Sequence, residues 1–299
     1  LLMSLNLSIY TPSNYIMPSR LAKYLDMTHH KGTSLTQQGR EEGIRRLMSI
    51  NLLKRLESSV YSFRLTIDRI KKLIEDTIVT INNYQSGGCV LNLTELSDNE
   101  DFDYDDQNTD YVSWKRELEK DAENLELLSL MVADITPEHD TKLQTLFDLI
   151  QKKMEHPINP GNRKIIIFTA FSDTADYLYA NVSKYAKAKF GLETAEITGT
   201  VDGKTTIPKL RADLNTVLTC FSPVSKGKAV LLPGSTDELD ILIATDCISE
   251  GQNLQDCDYL INYDIHWNPV RIIQRFGRID RIGSKNDHIQ LVNFWPDMD

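Results

Sequence analysis

The chain is poor in residues that cross-link or bind metal. Its 299 residues include 4 cysteines, Cys89, Cys220, Cys247 and Cys257, with no C-x-x-C pair and no histidine at zinc-site spacing. That argues against a disulfide framework or a Cys/His zinc module and leaves reduced, buried thiols. His29 and His30 are adjacent and so face different ways on any regular element, which argues against a metal role. Long apolar runs are also missing. No window reaches the length of a membrane span, and the opening LLMSLNLSIY has neither a basic flank nor a cleavage signature. A cytoplasmic protein with no membrane partner is expected. With a formal net charge of -10, the chain is not coated in basic charge for non-specific nucleic-acid binding. Much of the excess is local. The stretch ELSDNEDFDYDDQNTD, 95–110, carries eight acids and no base and reads as a solvated, mobile loop near 94–110. The remainder is near neutral, so basic patches elsewhere can act. The chain lacks an initiator Met, and it is expected to be part of a longer polypeptide.

What is present falls into two halves. Residues 37–83 contain two glycines and no proline, and apolar residues recur at helical spacing: Ile44, Leu47, Leu52, Leu56, Val60, Phe63, Ile67, Ile70, Ile74 and Ile78. A long helix or helical hairpin is expected there, with further helices at 114–135 and 137–156. Thr136 and Pro137 suit the cap and first turn of the last of these. Lys54, Arg55 and Arg64 read as solvated charge. A Pro/Gly-rich boundary, HPINPGNRK, follows at 156–164. The domains are therefore expected at 1–158, helical, and 159–299. In the second, short apolar runs at 164–169, 195–198, 240–245, 259–264 and 289–294 alternate with helical stretches at 172–190, 206–220 and 269–281. KIIIFT and DILIAT are apolar on both faces, as strands of a parallel sheet covered by helices on each side must be. The fold class is α/β, a parallel sheet flanked by helices and preceded by an α-helical region. Residues 222–238 read as a surface loop.

Ligands of open α/β sheets bind at the carboxyl ends of the strands. Small, polar and aromatic residues gather after each strand here: TAFSD from Thr169, TGT around Gly199, TDCISEGQN from Thr245 and DIHWNP from Asp264. The next stretch, NPVRIIQRFGRIDRIGSKN, holds four arginines against one aspartate, Asp280. Asn268 suits a helix cap and Pro269 the first turn. A helix reaching Arg281 would put Gln274, Arg278 and Arg281 at i, i+4 and i+7 on one face, and Gly277 would leave room for close approach. Two guanidiniums one turn apart suit a polyphosphate, because each forks onto phosphate oxygens and keeps its charge. Intrachain salt bridges to Asp280 or Glu250 explain the same residues, and the spacing alone leaves both readings open.

The ordered combination S-E-G-x-N-x-Q, D-x-x-x-N-P and Q-R-x-G-R-x-D-R-I-G resembles motifs V and VI of superfamily 2 helicases. Its spelling is similar to the Swi/Snf-type ATPases and their RapA-like bacterial branch, and KIIIFTAFSDTADYL resembles motif IV. The resemblance covers about 164–299 and implies the second RecA-like lobe of a two-lobe motor. It implies that Arg278 and Arg281 are arginine fingers and that Gln274 orients nucleotide phosphates. Asp246, Glu250 and Gly251 would lie by the nucleotide. Thr169, Phe171, Ser172, Gly199 and Thr245 would face the nucleic-acid backbone, with Trp267 and Asn268 linking the two sites. ATP and Mg²⁺ are implied for the complete two-lobe protein, with none held tightly by this chain. The implied partners are the amino-terminal lobe and nucleic acid, with the motif spelling leaning to duplex DNA. No Walker A loop, G-x-x-x-x-G-K-[ST], is present: GTVDGKT, 199–205, is one residue short, and DYDD, 103–106, follows no apolar strand. The chain alone is expected not to turn over ATP. The alternative is a binding module that retains the lobe without catalysis.

Overall fold

A computed structural model describes residues 2, 5–17, 37–85, 109–199, 203–248, 251–266 and 268–295. By its contacts the chain divides into two units, Leu1–Leu56 with Phe63–Asp134, and Glu57–Ser62 with Ile135–Asp299.

The first unit is helical. Its long elements are α1 (Gln37–Ser58), α2 (Val60–Gln85) and α3 (Tyr111–Met131), so the region expected as one helix or a hairpin is broken at residue 59. Leu52, Phe63, Ile67, Ile70 and Ile74 from the periodic set are buried with Trp114, Leu118 and Leu125. Leu47 and Leu56, from the same set, are exposed. Of the acidic stretch 94–110, Thr109 and Asp110 are described, and the rest lies outside the described residues. Asp110 caps α3 by accepting from the Ser113 amide. Two buried carboxylates hold the segment before α1. Asp121 accepts from the amides of Asn6 and Ser8 at 3.0 and 2.8 Å, and Glu41 accepts from the Ser13 amide at 3.0 Å.

The second unit is the α/β part. Its strands are β1 (Ile165–Phe168), β2 (Thr194–Ile197), β3 (Lys204–Thr205), β4 (Ile241–Ala244), β5 (Tyr259–Asn262) and β6 (Gln290–Asn293). They form one sheet in the order β3-β2-β4-β1-β5-β6, parallel except for the short antiparallel edge β3. Strand alternation sends Ile165, Ile167, Ile241, Ile243 and Ile261 to one face. There they meet α4 (Thr141–Glu155) and α5 (Ser172–Phe190) through Leu143, Leu146, Ile150 and Leu178. Ile166, Phe168, Leu242, Ala244 and Leu260 face the other way, toward Val217, Leu218 and Phe221 of α6 (Leu214–Phe221). A short helix, α7 (Lys228–Leu231), interrupts the stretch expected as a loop.

Three helix boundaries differ from expectation. α4 is capped by Asp140, whose carboxylate accepts from the Leu143 amide, and not by Thr136. α6 starts at Leu214 because Asp213 takes the Thr216 amide, and Pro208 and the positive φ of Lys209 (66°) precede it. α8 (Pro269–Phe276) stops at Gly277, not near Arg281. Among the described residues no helix is long and apolar enough to cross a membrane.

Two buried ion networks fix this unit. Lys153 of α4 donates to both oxygens of Asp258 at 2.6 and 2.7 Å, and Asn159 adds a third bond to Asp258 at 2.8 Å. Lys142 donates to the carbonyls of Glu57 and Ser58 at 2.7 and 2.9 Å and lies 4.1 Å from the Tyr263 ring centroid. Burial pulls Lys142 from its ordinary 10.5 to about 8, against the opposing pull of Asp264, Asp140 and Glu57. Below pH 8 both folded and unfolded chains hold this proton. Between 8 and 10.5 the unfolded chain binds more of it, so this group's contribution to stability rises with pH. Subtracting the unfolding free energy of Lys142→Met from that of the unaltered chain cancels the other titrating groups. The difference is expected to grow from pH 8 to 10, and a flat difference would contradict the burial of this ammonium.

Candidate nucleotide and nucleic-acid edge

The carboxyl ends of β1, β4 and β5 converge on two buried polar centres. The first is Asp264, just past β5. Its Oδ1 accepts from the Ala170 amide at 2.7 Å, and its Oδ2 accepts from the hydroxyls of Thr169 at 2.6 Å and Ser58 at 2.7 Å. Thr174 shares hydrogen bonds with Ser58 and Ser59. The loop from β1 to α5 is thereby fixed from beneath. Thr169 is fully buried with its hydroxyl committed to Asp264. Thr169, expected where the lobe faces the nucleic-acid backbone, uses its hydroxyl to shape this loop, and Phe171 and Ser172 are half-buried at the start of α5.

The second centre is Arg275, the most deeply buried arginine of the run at 1% exposure. Its Nε and Nη2 donate to the two oxygens of Asp246 at 2.7 and 2.8 Å, and its Nη1 donates to Asn262 Oδ1 at 2.8 Å. The guanidinium lies 5.1 Å from the Phe168 ring centroid. Asp246, expected beside the nucleotide, is the counter-ion of this arginine. Thr245, directly before it, is 9% exposed.

The predicted arginines sit just beyond α8 in successive turns, not on its face. The Arg278 and Ile279 amides bond to the Arg275 and Phe276 carbonyls at 3.2 and 3.0 Å. The expected i, i+4, i+7 stripe with Gln274 is therefore replaced by a helix end. Gly277, at φ −61°, closes α8 in ordinary helical geometry, so its glycine is not required by backbone conformation. Arg278 is 5% exposed, whereas Arg281 is exposed, with its Nε donating to the Gly277 carbonyl at 3.2 Å. Gln274 is half-buried, and its side-chain oxygen is buried with no hydrogen-bond partner among the described residues. Lys226 donates to Gln252, and its pKa is lowered first by burial and then by the positive charge of Arg281. A second cation thus lies near Arg281.

Of the remaining expected residues, Gly251 is exposed with φ +86°, a conformation that favours glycine. Gly199 is exposed, and a Cβ there would lie 3.0 Å from the Cys247 Cβ, so the turn after β2 is close to the turn after β4. Asn268 caps α8 by accepting from the Val270 amide at 3.0 Å. Glu250 and Trp267 lie outside the described residues. Sequence reasoning missed Ser58, Asp264 and Arg275. Asp264 stands in the loop singled out after β5, but nothing in a linear sequence says which of four arginines turns inward.

Residues 141–283 match the family model of the helicase conserved C-terminal domain. An uncharacterized ATP-dependent helicase of Bacillus subtilis, YqhH, is 52% identical over 50 residues. That stretch is 17% of this chain and 9% of the relative, so the chain corresponds to a small part of that protein. Two solved structures give weaker likenesses. The C-terminal part of the Fun30 ATPase domain has a TM-score of 0.35 at 13% identity, covering 96% of this chain and 77% of that one. The Pyrococcus furiosus Hef helicase domain has 0.38 at 15%, covering 92% and 42%. Both scores are too low to bear on function. The family match spans α4 through the turns after α8 and takes in Asp246, Arg275, Arg278 and Arg281. The likeness to the helicase conserved C-terminal domain thus extends over residues 141–283, a little under half of the chain.

Proposed function

We propose that this chain is the carboxy-terminal lobe of an ATP-dependent translocase acting on nucleic acid, with duplex DNA as the favoured substrate. Its work is to present Arg278 and Arg281 to the nucleotide's phosphates and the strand-end loops to the nucleic-acid backbone. The observation that carries this reading is the Arg278–Arg281 segment, set at the carboxyl edge of the sheet beside the Thr245–Asp246 turn inside a matched helicase domain. The donor chemistry fits a nucleotide. Arginines hold charge that cannot be titrated away, and the Gln274 side chain carries an amide NH2 able to donate to phosphate oxygens. Bound ATP with Mg²⁺ would supply the phosphoryl group and its leaving-group charge. The phosphate cradle and the Mg²⁺ carboxylates belong, on this reading, to an amino-terminal lobe.

Arg278 and Arg281 stabilise negative charge where it grows, which speeds hydrolysis but does not place the attacking water. Toward nucleic acid, the exposed Gly199 and the half-buried Ser172 offer neutral donors that suit phosphate oxygens and carry no base information. A chain of net charge -10 repels a polyanion at long range.

Two measurements test the reading. Phosphate release by the purified chain with saturating duplex DNA is expected at background, and turnover at motor rates would defeat it. Titration with labelled DNAs and RNAs of unrelated sequence is expected to give weak binding that falls steeply with salt. Tight binding to one sequence that survives moderate salt would favour a non-catalytic binding module instead.

A further inference from the structure

Arg275 reaches three strands of the sheet. Asp246, Phe168 and Asn262 stand at the carboxyl ends of β4, β1 and β5, three consecutive strands in the sheet. Asn262 Nδ2 donates in turn to Asn293 Oδ1 of β6 at 2.8 Å, which extends the chain of contacts to a fourth. Two further anchors follow within four residues. The Leu254 amide donates to the Arg278 carbonyl at 2.9 Å, and Ile279 is fully buried in the core beneath α6. The backbone from Arg275 to Ile279 is thus held by a guanidinium fork, a main-chain bond and an apolar plug, and Arg278 lies between them.

The geometry points to Arg275 as a positioning residue for phosphoryl transfer: its fork onto Asp246 and Asn262 sets where Arg278 and Arg281 are presented. This rests on the function proposed above. Arg275 is almost fully buried, at 1% exposure, and acts through the two arginines that follow it. The planar fork matters because it fixes direction as well as charge. A lysine can bond both oxygens of a carboxylate, as Lys153 does with Asp258, but its single ammonium has no fixed plane of donors and cannot also reach Asn262 from there. Lys153, facing Asp258, shows the chain using lysine where a buried charge needs only to be neutralised. Stability alone is served as well by apolar residues at such sites, so a buried ion pair of this geometry is better explained by orientation.

The test uses the full-length protein that carries this chain, with Arg275→Lys, Asp246→Asn and the double variant. Hydrolysis is followed at saturating nucleic acid, with unfolding monitored in parallel. Arg275→Lys is expected to lower kcat by about a hundredfold, the scale of a misplacement near 1 Å, while KM for ATP moves less than about threefold. Asp246→Asn should move kcat in the same direction, and the double variant should be no worse than the poorer single, because all three break one fork. A cooperatively folding Arg275→Lys variant with kcat within about threefold of the unaltered protein would overturn the inference, as would losses that multiply in the double. If Arg275→Lys does not fold, Asp246→Asn decides by the same criteria.

If the unaltered protein shows no nucleic-acid-stimulated hydrolysis, the proposed function fails, and amide exchange in the 299-residue chain judges the positioning alone. Arg275→Lys is then expected to speed exchange across 276–283 and leave β1 and β4 protected. Unchanged exchange there would sink it.

Discussion

Arg281→Ala in the full-length protein is expected to slow nucleic-acid-stimulated ATP hydrolysis by about a thousandfold or more, while ATP binding weakens far less. The difference between the two effects carries the meaning. A guanidinium that meets charge only as the phosphoryl group departs contributes to the transition state and little to the bound ground state. Arg281 suits that role because it is exposed and lies near a second cation, Lys226. Its Nε bond to the Gly277 carbonyl is local and easily exchanged. Arg278, at 5% exposure, should also slow turnover when replaced by alanine, but with some loss of stability because its stem is packed. Single-turnover hydrolysis and nucleotide affinity measured side by side separate these outcomes. If Arg281→Ala leaves turnover within a few-fold, Arg281 is a surface residue and the proposed function loses its central element.

Lys153→Ala is expected to destabilise the second unit by about 3–5 kcal/mol. The side chains of Lys153 and Asp258 are both at 0% exposure. Removing the lysine strands a carboxylate that, among the described residues, retains the Asn159 amide as its side-chain partner, at 2.8 Å. Replacing both members is a different experiment. Lys153→Met with Asp258→Asn leaves no buried charge, and should recover much of the loss. Urea unfolding of the single and double variants reads this directly. A single-variant loss below about 1 kcal/mol would mean that water reaches Asp258.

The sheet was legible because its strands are apolar on both faces. IIIF and ILIA can be buried only between two layers of helices, and these two strands lie within the runs expected for them, whereas the short edge β3 was not expected. The loops chosen as the candidate site follow from the same pattern: once the strands are set, the loops at their carboxyl ends are set as well. What escaped was local polar chemistry. The α8 pattern runs on past Gly277 in the sequence, and the helix stops because the segment beyond is pinned by the Leu254 amide and by burial of Ile279. Asp140 took the cap role expected of Thr136, and Asp213 starts α6 later than expected, since a cap is decided by where the preceding chain arrives. Thr169 resembles a ligand contact in the motif, yet the carboxylate that claims its hydroxyl lies 95 residues away. Arg275 and Asp246 are likewise 29 residues apart, and no local rule pairs them.

The six residues Glu57–Ser62 group with Ile135–Asp299, not with their sequence neighbours. This bears on how the α/β part can be produced as a recombinant fragment. Starting at Ile135, or at the composition break near 159, gives a continuous gene but discards the Ser58 hydroxyl that donates to Asp264. It also leaves Lys142 without its two carbonyl acceptors. Such a truncation would carry an incompletely satisfied carboxylate and a stranded ammonium at the edge where ligands are proposed to bind. A faithful minimal version would graft the Glu57–Ser62 peptide ahead of Ile135 through a short designed turn.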